Sequence, residues 1–208
     1  PMHMVFTGRP GTGKTTFARI IAEVLYTHGM LPRNHLVETD RAGLVGAWVG
    51  QSEERTEQKI KEAQGGVLFI DEFYGLMGTG NDFGPRVIDV LVKRMEDMRD
   101  NLCIIVAGYT EPMKQIIASN PGLKSRFTRF IHFPDYTNEE LTEIFDLLLK
   151  QGQYQLTDDA YPEVFRAFSA LPRGEDFGNA REVRNFYKRL IEVQAERVIA
   201  TKADLTVI

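Results

Sequence analysis

Cysteine is almost absent from this chain, since Cys103 is the single one among 208 residues. One thiol cannot form an internal disulfide, so the chain is not a disulfide-stabilised scaffold. We expect a reducing, cytoplasmic location and a buried Cys103, because an apolar run surrounds it. A cysteine-based metal site is excluded as well, and the four histidines show no metal-ligand spacing.

Long apolar runs and a strong charge excess are also missing. The longest apolar stretches fall far short of the about 20 residues that a membrane-spanning helix needs, so we expect no membrane span. The net charge of −4 provides no overall attraction to nucleic acid. The hydrophobic fraction of 43% is ordinary for a globular protein of this length, which is long enough to bury a real core.

Two kinds of pattern follow each other along the chain. In residues 1–134, short apolar runs such as Val67–Ile70 alternate with helical segments, which predicts a parallel sheet covered by helices on both faces. In residues 135–208 the strands stop, and apolar residues recur at helical spacing. We therefore expect an α/β core followed by a small all-helical subdomain. Because the strand Met4–Phe6 opens the chain, we also expect the natural protein to continue before it.

The helical subdomain has recognisable helix starts. Thr137–Glu140 matches a capping box, which predicts a helix beginning there. Further helices are predicted to begin near Thr157 and near Asn179, where apolar stripes resume.

The segment Gly8-Arg-Pro-Gly-Thr-Gly-Lys14-Thr15 matches the pattern GxxxxGK[ST] between a strand and a helix, the context of a phosphate-binding P-loop. Glycines let successive N–H groups face a phosphate at the positive end of the following helix. Lys14 would contact the β- and γ-phosphate oxygens, and the Thr15 hydroxyl would complete a Mg²⁺ shell. A mere glycine-rich turn is the weaker alternative. The predicted nucleotide-binding residues of this segment are Gly8, Pro10, Gly11, Thr12, Gly13, Lys14, Thr15 and Thr16.

Two acids follow the apolar strand Val67–Ile70. A parallel strand that ends in acids places them at the sheet edge where open α/β folds bind ligands. Asp71 would hold Mg²⁺ through water, and Glu72 would orient and polarise the attacking water. Such strand ends are common, so this prediction depends on the P-loop upstream.

The order of these motifs resembles an AAA+ ATPase over nearly the whole chain. The strings "NPGLKSRF" and "GNAREVRN" contribute to this resemblance. More narrowly, "HMVFTGRPGTGKTT", "GGVLFIDE", "IVAGY", "NPGLKSRF" and "FPDY" are similar to the CbbX/CfxQ group, which includes red-type Rubisco activases, a stage V sporulation ATPase and type VII secretion ATPase domains. The resemblance implies a P-loop NTPase three-layer sandwich followed by a helical lid. It also implies ATP and Mg²⁺ as cofactors, and a hexameric ring that hydrolyses ATP between neighbouring subunits.

The resemblance carries over further residues. Arg126 matches the arginine finger that reaches the γ-phosphate in the next subunit, and Arg129 is a second candidate; a surface arginine is the alternative for each. Arg181 matches the sensor-2 arginine of the lid, whereas Arg184 could be a lid surface charge. The polar sensor-1 residue after strand Ile104–Val106 is either Tyr109 or Thr110, and the residues leave that choice open.

Trp48, Val49 and Gly50 match the aromatic–hydrophobic–glycine pore loop with which ring translocases hold a polypeptide. An aromatic ring contacts any sequence through apolar area, and glycine allows the loop to move. The alternative is that the sole tryptophan is a core residue.

The leading prediction is therefore ATP-driven remodelling of a protein substrate by a ring. The alternatives are nucleic-acid machinery of the clamp-loader or helicase-loader type, and a nucleotide-gated scaffold with little turnover. The charges around Trp48 are mixed to acidic, which disfavours nucleic acid. The identity of the substrate stays open.

Overall fold

A computed structural model of the chain describes residues 2–48, 50–78, 83–174 and 176–201. The strands are Met4–Thr7 (β1), Leu36–Thr39 (β2), Val67–Ile70 (β3), Cys103–Gly108 (β4) and Arg129–His132 (β5). The helices are Lys14–Thr27 (α1), Arg41–Leu44 (α2), Gln51–Ala63 (α3), Gly84–Asp97 (α4), Thr110–Ser119 (α5), Pro121–Arg126 (α6), Asn138–Gly152 (α7), Tyr161–Ser169 (α8) and Ala180–Thr201 (α9).

The five strands form one parallel sheet in the order β2-β3-β4-β1-β5. The expected parallel sheet is thereby confirmed, and the helices α7, α8 and α9, which follow β5, confirm the helical lid. Because parallel strands end at the same edge, the segments that follow β1, β3 and β4 leave the sheet side by side. The segment after β1 opens the P-loop, and the segment after β3 begins with Asp71 and Glu72.

Apolar side chains cover both faces of the sheet. Along β3, Val67 and Phe69 pack into one cluster with α1, whereas Leu68 and Ile70 pack into another with residues of α3, α4 and α5. All four residues are buried, which explains why this strand lacks the alternation of a half-exposed strand. The result is the three-layer sandwich that the sequence predicts.

The chain divides into two compact units. The first holds Pro1–Gly8 and Gly13–Phe133, and the second holds Arg9–Thr12 together with Pro134–Ile208. Four residues of the P-loop motif therefore group with the helical subdomain, which the sequence pattern did not indicate.

The second unit has its own apolar core from three helices. Leu141 and Phe145 of α7, Val164 and Phe168 of α8 and Val183 of α9 are its central members.

Two of the three helix starts predicted for this unit agree with the structure. The capping box at Thr137 and Glu140 is present, and α9 begins directly after Asn179. The start predicted at Thr157 is wrong, because α8 begins at Tyr161, with Pro162 in its first turn. Proline suits the first turn of a helix, but further inside it would clash with the carbonyl four residues earlier.

Cys103 is buried, as expected, and its Sγ donates to the carbonyl of Met2 at 3.1 Å. Burial raises the pKa of this thiol to about 12. Within the described ranges, none of the helices combines the length and the hydropathy that a membrane crossing requires.

His3 is fully buried beside the sheet. Its Nδ1 accepts from the N–H of Ile104 at 3.0 Å, and its Nε2 lies 3.3 Å from the carbonyl of Met95, so the neutral ring satisfies both contacts. Burial is the main cause that lowers the pKa of His3 from its ordinary value of 6.5.

This shift predicts acid sensitivity. The unfolded chain takes up a proton as the pH falls below 6.5, whereas folded His3 resists it, so the free energy of unfolding decreases in that direction. We expect His3→Asn, which does not titrate there, to show a shallower loss between pH 7 and pH 5 in denaturant titrations. His28→Asn, at an exposed histidine, is the control and should follow the parent curve. If the free energy of unfolding fell equally with pH in His3→Asn and in the parent, His3 would not be the cause of the acid sensitivity.

Candidate active site

The first unit holds both ends of the P-loop. Gly8 follows β1 with φ of +149°, and a Cβ there would lie 2.4 Å from the carbonyl oxygen of Phe133, so only glycine fits. Gly13 has φ of +90° and precedes α1. Lys14 begins that helix and donates from Nζ to the carbonyl of Gly8 at 2.8 Å. Thr16 is exposed on the same first turn.

Thr15 and Asp71, the two predicted Mg²⁺ ligands, line the same surface depression. The acids at the carboxyl end of β2, Glu38 and Asp40, line it too, and so does Lys59 of α3. A hydroxyl and carboxylates are the oxygen donors that Mg²⁺ prefers, and Mg²⁺ at nucleotide sites needs few protein ligands. The donor set therefore fits this ion. Within the described residues there is no cluster of three His, Cys, Asp or Glu side chains that could hold a metal.

Glu72 sits in a strained turn beside this depression. Its φ of 48° and ψ of 39° are left-handed, which is uncommon for a residue other than glycine. Its N–H donates to the Asp71 carboxylate at 2.9 Å, which fixes the turn directly after β3. The residue is exposed and lines a second depression with Asp40, Arg41 and Val45. The structure therefore places an exposed carboxylate directly after the end of β3.

Arg41 connects this turn to the segment that carries Trp48. Its Nη1 donates to the carbonyl of Gly75 at 2.5 Å, in the 3₁₀ turn Phe73–Leu76 that follows Glu72. Arg41 is also the first residue of α2, which ends four residues before Trp48. The two segments therefore share a direct contact.

Both sensor-1 candidates lie directly beyond β4. Tyr109 follows the strand, and Thr110 begins α5. The Tyr109 ring lies 5.9 Å from the ring of Tyr74, and burial followed by the charge of Glu72 raises the pKa of Tyr74. Tyr109 therefore has a ring contact with the turn that begins at Glu72.

In the second unit, residues Arg9–Thr12 are held by helical-subdomain residues. Arg9 pairs with Asp135 at 2.7 Å, and the Tyr136 hydroxyl donates to the carbonyl of Thr12 at 3.2 Å. A Cβ on Gly11 would lie 2.0 Å from the carbonyl oxygen of Gly178, so the loop approaches as closely as only glycine allows.

Arg181 and Arg184 are both exposed on α9. Arg181 is in the first turn of the helix and Arg184 in the next, so the structure places both at the same end of α9.

The two finger candidates differ in their surroundings. Arg126 ends α6 with its side chain 24% exposed, and its Nη2 lies 3.3 Å from a carboxylate oxygen of Glu96. Its Nε is buried, and the described part of the chain offers it no hydrogen-bond acceptor. Arg129 begins β5 and is exposed.

Trp48 is not a core residue, because 75% of its surface is exposed. It lies between α2 and Gly50. Gly50 has a φ of +85° and caps the N-terminus of α3. The N–H of Ala47 donates to the side chain of Gln51 at 2.8 Å, which ties the base of this loop to α3. Val49 lies outside the described residues.

Sequence patterns missed several residues of the site. Asp40 stands at the carboxyl end of β2, and that position was the available signal, since parallel strands end at one edge. Tyr136 and Asn179 lie in the strings "FPDY" and "GNAREVRN", but nothing local indicated that they contact the P-loop.

Two family descriptions match this chain. Residues 4–135 match the ATPase family associated with various cellular activities (AAA), and residues 137–208 match an AAA lid domain.

Several curated proteins are similar over most of the chain. A CfxQ homolog of Cyanidium caldarium is 45% identical over 96% of this chain and 71% of its own length. The chloroplastic ribulose bisphosphate carboxylase/oxygenase activase of Cyanidioschyzon merolae is also 45% identical, over 96% of this chain and 69% of its own. Stage V sporulation protein K of Bacillus subtilis is 40% identical over all of this chain and 67% of its own length.

Solved structures share the fold at low identity. The FIGL-1 AAA domain in complex with ADP is 17% identical with a TM-score of 0.64, covering 100% of this chain and 68% of that one. A Thermotoga maritima RuvB mutant is 23% identical with a TM-score of 0.66, covering 97% and 57%.

Proposed function

The chain belongs to the AAA family of ATPases and hydrolyses ATP, and from that premise we propose that it uses this reaction to remodel a protein substrate. The observation that carries the proposal is Trp48, exposed over 75% of its surface on a short loop between α2 and α3. An exposed indole offers a flat apolar face that binds many polypeptide sequences.

The relatives are consistent with a protein substrate. One of them is an activase of ribulose bisphosphate carboxylase/oxygenase. The proposed assembly is a homo-hexameric or hetero-oligomeric ring in which the loops of Trp48, Val49 and Gly50 face a shared pore. The cytoplasmic location expected from the sequence stays a prediction, since that relative is a chloroplast protein.

The proposed chemistry divides among the site residues. The P-loop N–H groups and Lys14 bind the phosphates, and Glu72 orients and polarises the attacking water. Mg²⁺ would be held by the Thr15 hydroxyl and, through water, by Asp71; when bound, it neutralises charge on the phosphate oxygens.

Three further residues have proposed roles in sensing and completing the site. Arg181, a residue of the lid, responds to the γ-phosphate of the nucleotide. Arg126 of a neighbouring subunit completes the site. Tyr109 is the better sensor-1 candidate, because its ring contacts Tyr74 beside the Glu72 turn.

Charge around Trp48 favours protein over nucleic acid. The cations in this part of the chain stand among acceptors, since Arg55 donates to the carbonyl of Val45 at 3.0 Å and Arg86 pairs with Glu53 at 2.9 Å. A nucleic-acid pore would need cations directed at phosphates.

Replacing Trp48 tests the proposal. We expect Trp48→Ala to keep basal ATPase within a few-fold of the parent, because the loop is not among the proposed phosphate-binding residues. The melting temperature should change by only one or two degrees, because a surface substitution costs within about 0.5 kcal/mol. Stimulation of the ATPase by an unfolded polypeptide, or by ribulose bisphosphate carboxylase, should be lost.

Trp48→Tyr is the matched control and should retain most of the stimulation, because a smaller aromatic ring still offers an apolar face. A core tryptophan would instead cost about 3–5 kcal/mol on truncation. Full stimulation of Trp48→Ala by each of the two polypeptides would rule out the pore-loop role.

A further inference from the structure

Three consecutive carbonyl groups of the P-loop accept hydrogen bonds from the helical subdomain, within one compact unit. The side-chain amide of Asn179 donates to the carbonyl of Pro10 at 3.4 Å. The N–H of Ala180, at the start of α9, donates to the carbonyl of Gly11 at 3.2 Å. The Tyr136 hydroxyl donates to the carbonyl of Thr12 at 3.2 Å. The loop therefore contacts the lid through three consecutive backbone carbonyl oxygens.

A trans peptide group holds its carbonyl and the following N–H in opposite directions. The three peptide groups here are trans. Carbonyls that point into the lid therefore turn the N–H groups of Gly11, Thr12 and Gly13 the other way. A P-loop binds phosphate through N–H groups that converge on one side. The lid donors thus hold these three peptide groups with their N–H groups directed away from the lid contacts.

Asn179 is built into this arrangement. It is fully buried with φ of +50°, a left-handed conformation that asparagine tolerates better than most residues. Its Oδ1 accepts from the N–H of Tyr136 at 2.9 Å, and its Nδ2 donates to Asp135 at 2.9 Å. Asp135 in turn pairs with Arg9. One asparagine therefore holds the two neighbours that contact the loop, in addition to its own contact.

The geometry points to Tyr136 and Asn179 as positioning residues that set the P-loop for phosphate binding, so that lid and nucleotide affinity are linked. The inference rests on the ATP-binding role of the P-loop and does not depend on a protein substrate. Removing a donor should let peptide groups rotate, and the phosphate would then have to reorder them on binding.

Tyr136→Phe is the sharpest test, because it removes one hydroxyl and keeps the ring that packs against the lid core. We expect the Kd for ADP, measured by isothermal titration calorimetry with Mg²⁺, to rise about three- to tenfold, the range that one net hydrogen bond accounts for. The KM for ATP should rise in parallel, with kcat changed less than twofold. Tyr154→Phe removes a lid hydroxyl outside the network and is the control, with an unchanged Kd.

Asn179→Gly tolerates the left-handed backbone and removes the amide. Combined with Tyr136→Phe, it should raise the Kd for ADP by at least tenfold. Amide hydrogen exchange without nucleotide supplies a second readout. Exchange in residues 9–13 should become faster in Tyr136→Phe and in the combined variant, while α9 keeps the parent's protection. That pattern would not follow from general destabilisation.

The inference would be overturned by an unchanged Kd in both variants, whatever their melting temperatures, or by faster exchange across the lid as a whole. It would also fall if the parent chain bound no ADP, which would remove the ATP-binding role as well. A chain that binds ADP but acts on no polypeptide would contradict the remodelling proposal alone.

Discussion

Glu72→Gln is expected to bind ATP as the parent chain does while its hydrolysis rate falls by about 10²–10⁴, the range for loss of general-base assistance. Glutamine keeps the size of the side chain but cannot accept a proton from water. The left-handed turn and the N–H contact to Asp71 involve the backbone of residue 72, so they should persist. The defect should therefore be confined to the chemical step.

Lys14→Ala is the complementary variant and should lose ATP binding itself, because it removes the cation at the start of α1. Isothermal titration with ATP and Mg²⁺, beside a phosphate-release assay, separates the two effects. Glu54→Gln, at an exposed acid of α3, is the control and should hydrolyse normally. Parent-like hydrolysis by Glu72→Gln would assign water activation to another residue, and weak turnover by the parent would favour the nucleotide-gated scaffold.

Arg126→Ala should lower ATP turnover by about 10³–10⁵ while nucleotide binding is retained, since an arginine finger stabilises the transition state by roughly 4–7 kcal/mol. In a single chain the guanidinium lies against Glu96 with a buried Nε, so it would have to leave this carboxylate to reach a neighbouring subunit. Exposed ion pairs contribute about 1 kcal/mol or less, so the contact is a small barrier to that movement.

Glu96→Gln separates the two roles of Arg126. If the arginine only partners Glu96, both substitutions should have similar effects; if it is a finger, Glu96→Gln should keep turnover. Mixing Arg126→Ala with Lys14→Ala subunits should restore part of the activity, because the second supplies an intact finger to the nucleotide site of the first. Turnover per subunit should also rise with protein concentration. Failure of rescue despite co-assembly shown by native mass spectrometry would contradict a shared site, and Arg129→Ala would then be tested in the same way.

The sequence alone predicted those features that depend on residues close together in the chain. The P-loop pattern, the acids after β3 and the capping box at Thr137 each lie within a few residues, and each has a local physical cause. The parallel sheet followed from alternating strands and helices. The start of α8 was misplaced because an apolar stripe shows where a helix packs better than where its first turn forms.

The tertiary structure decided what depends on residues far apart in the sequence. Asn179 and Tyr136 meet the P-loop across 169 and 124 positions, so no local pattern could indicate those contacts. The same holds for Arg126 against Glu96 and for Arg41 against Gly75. The sequence therefore predicted which residues carry the chemistry that we propose for this ATPase. Which groups contact its P-loop was decided only by folding, because a hydrogen bond needs two groups within about 3 Å, and chain packing alone brings distant groups that close.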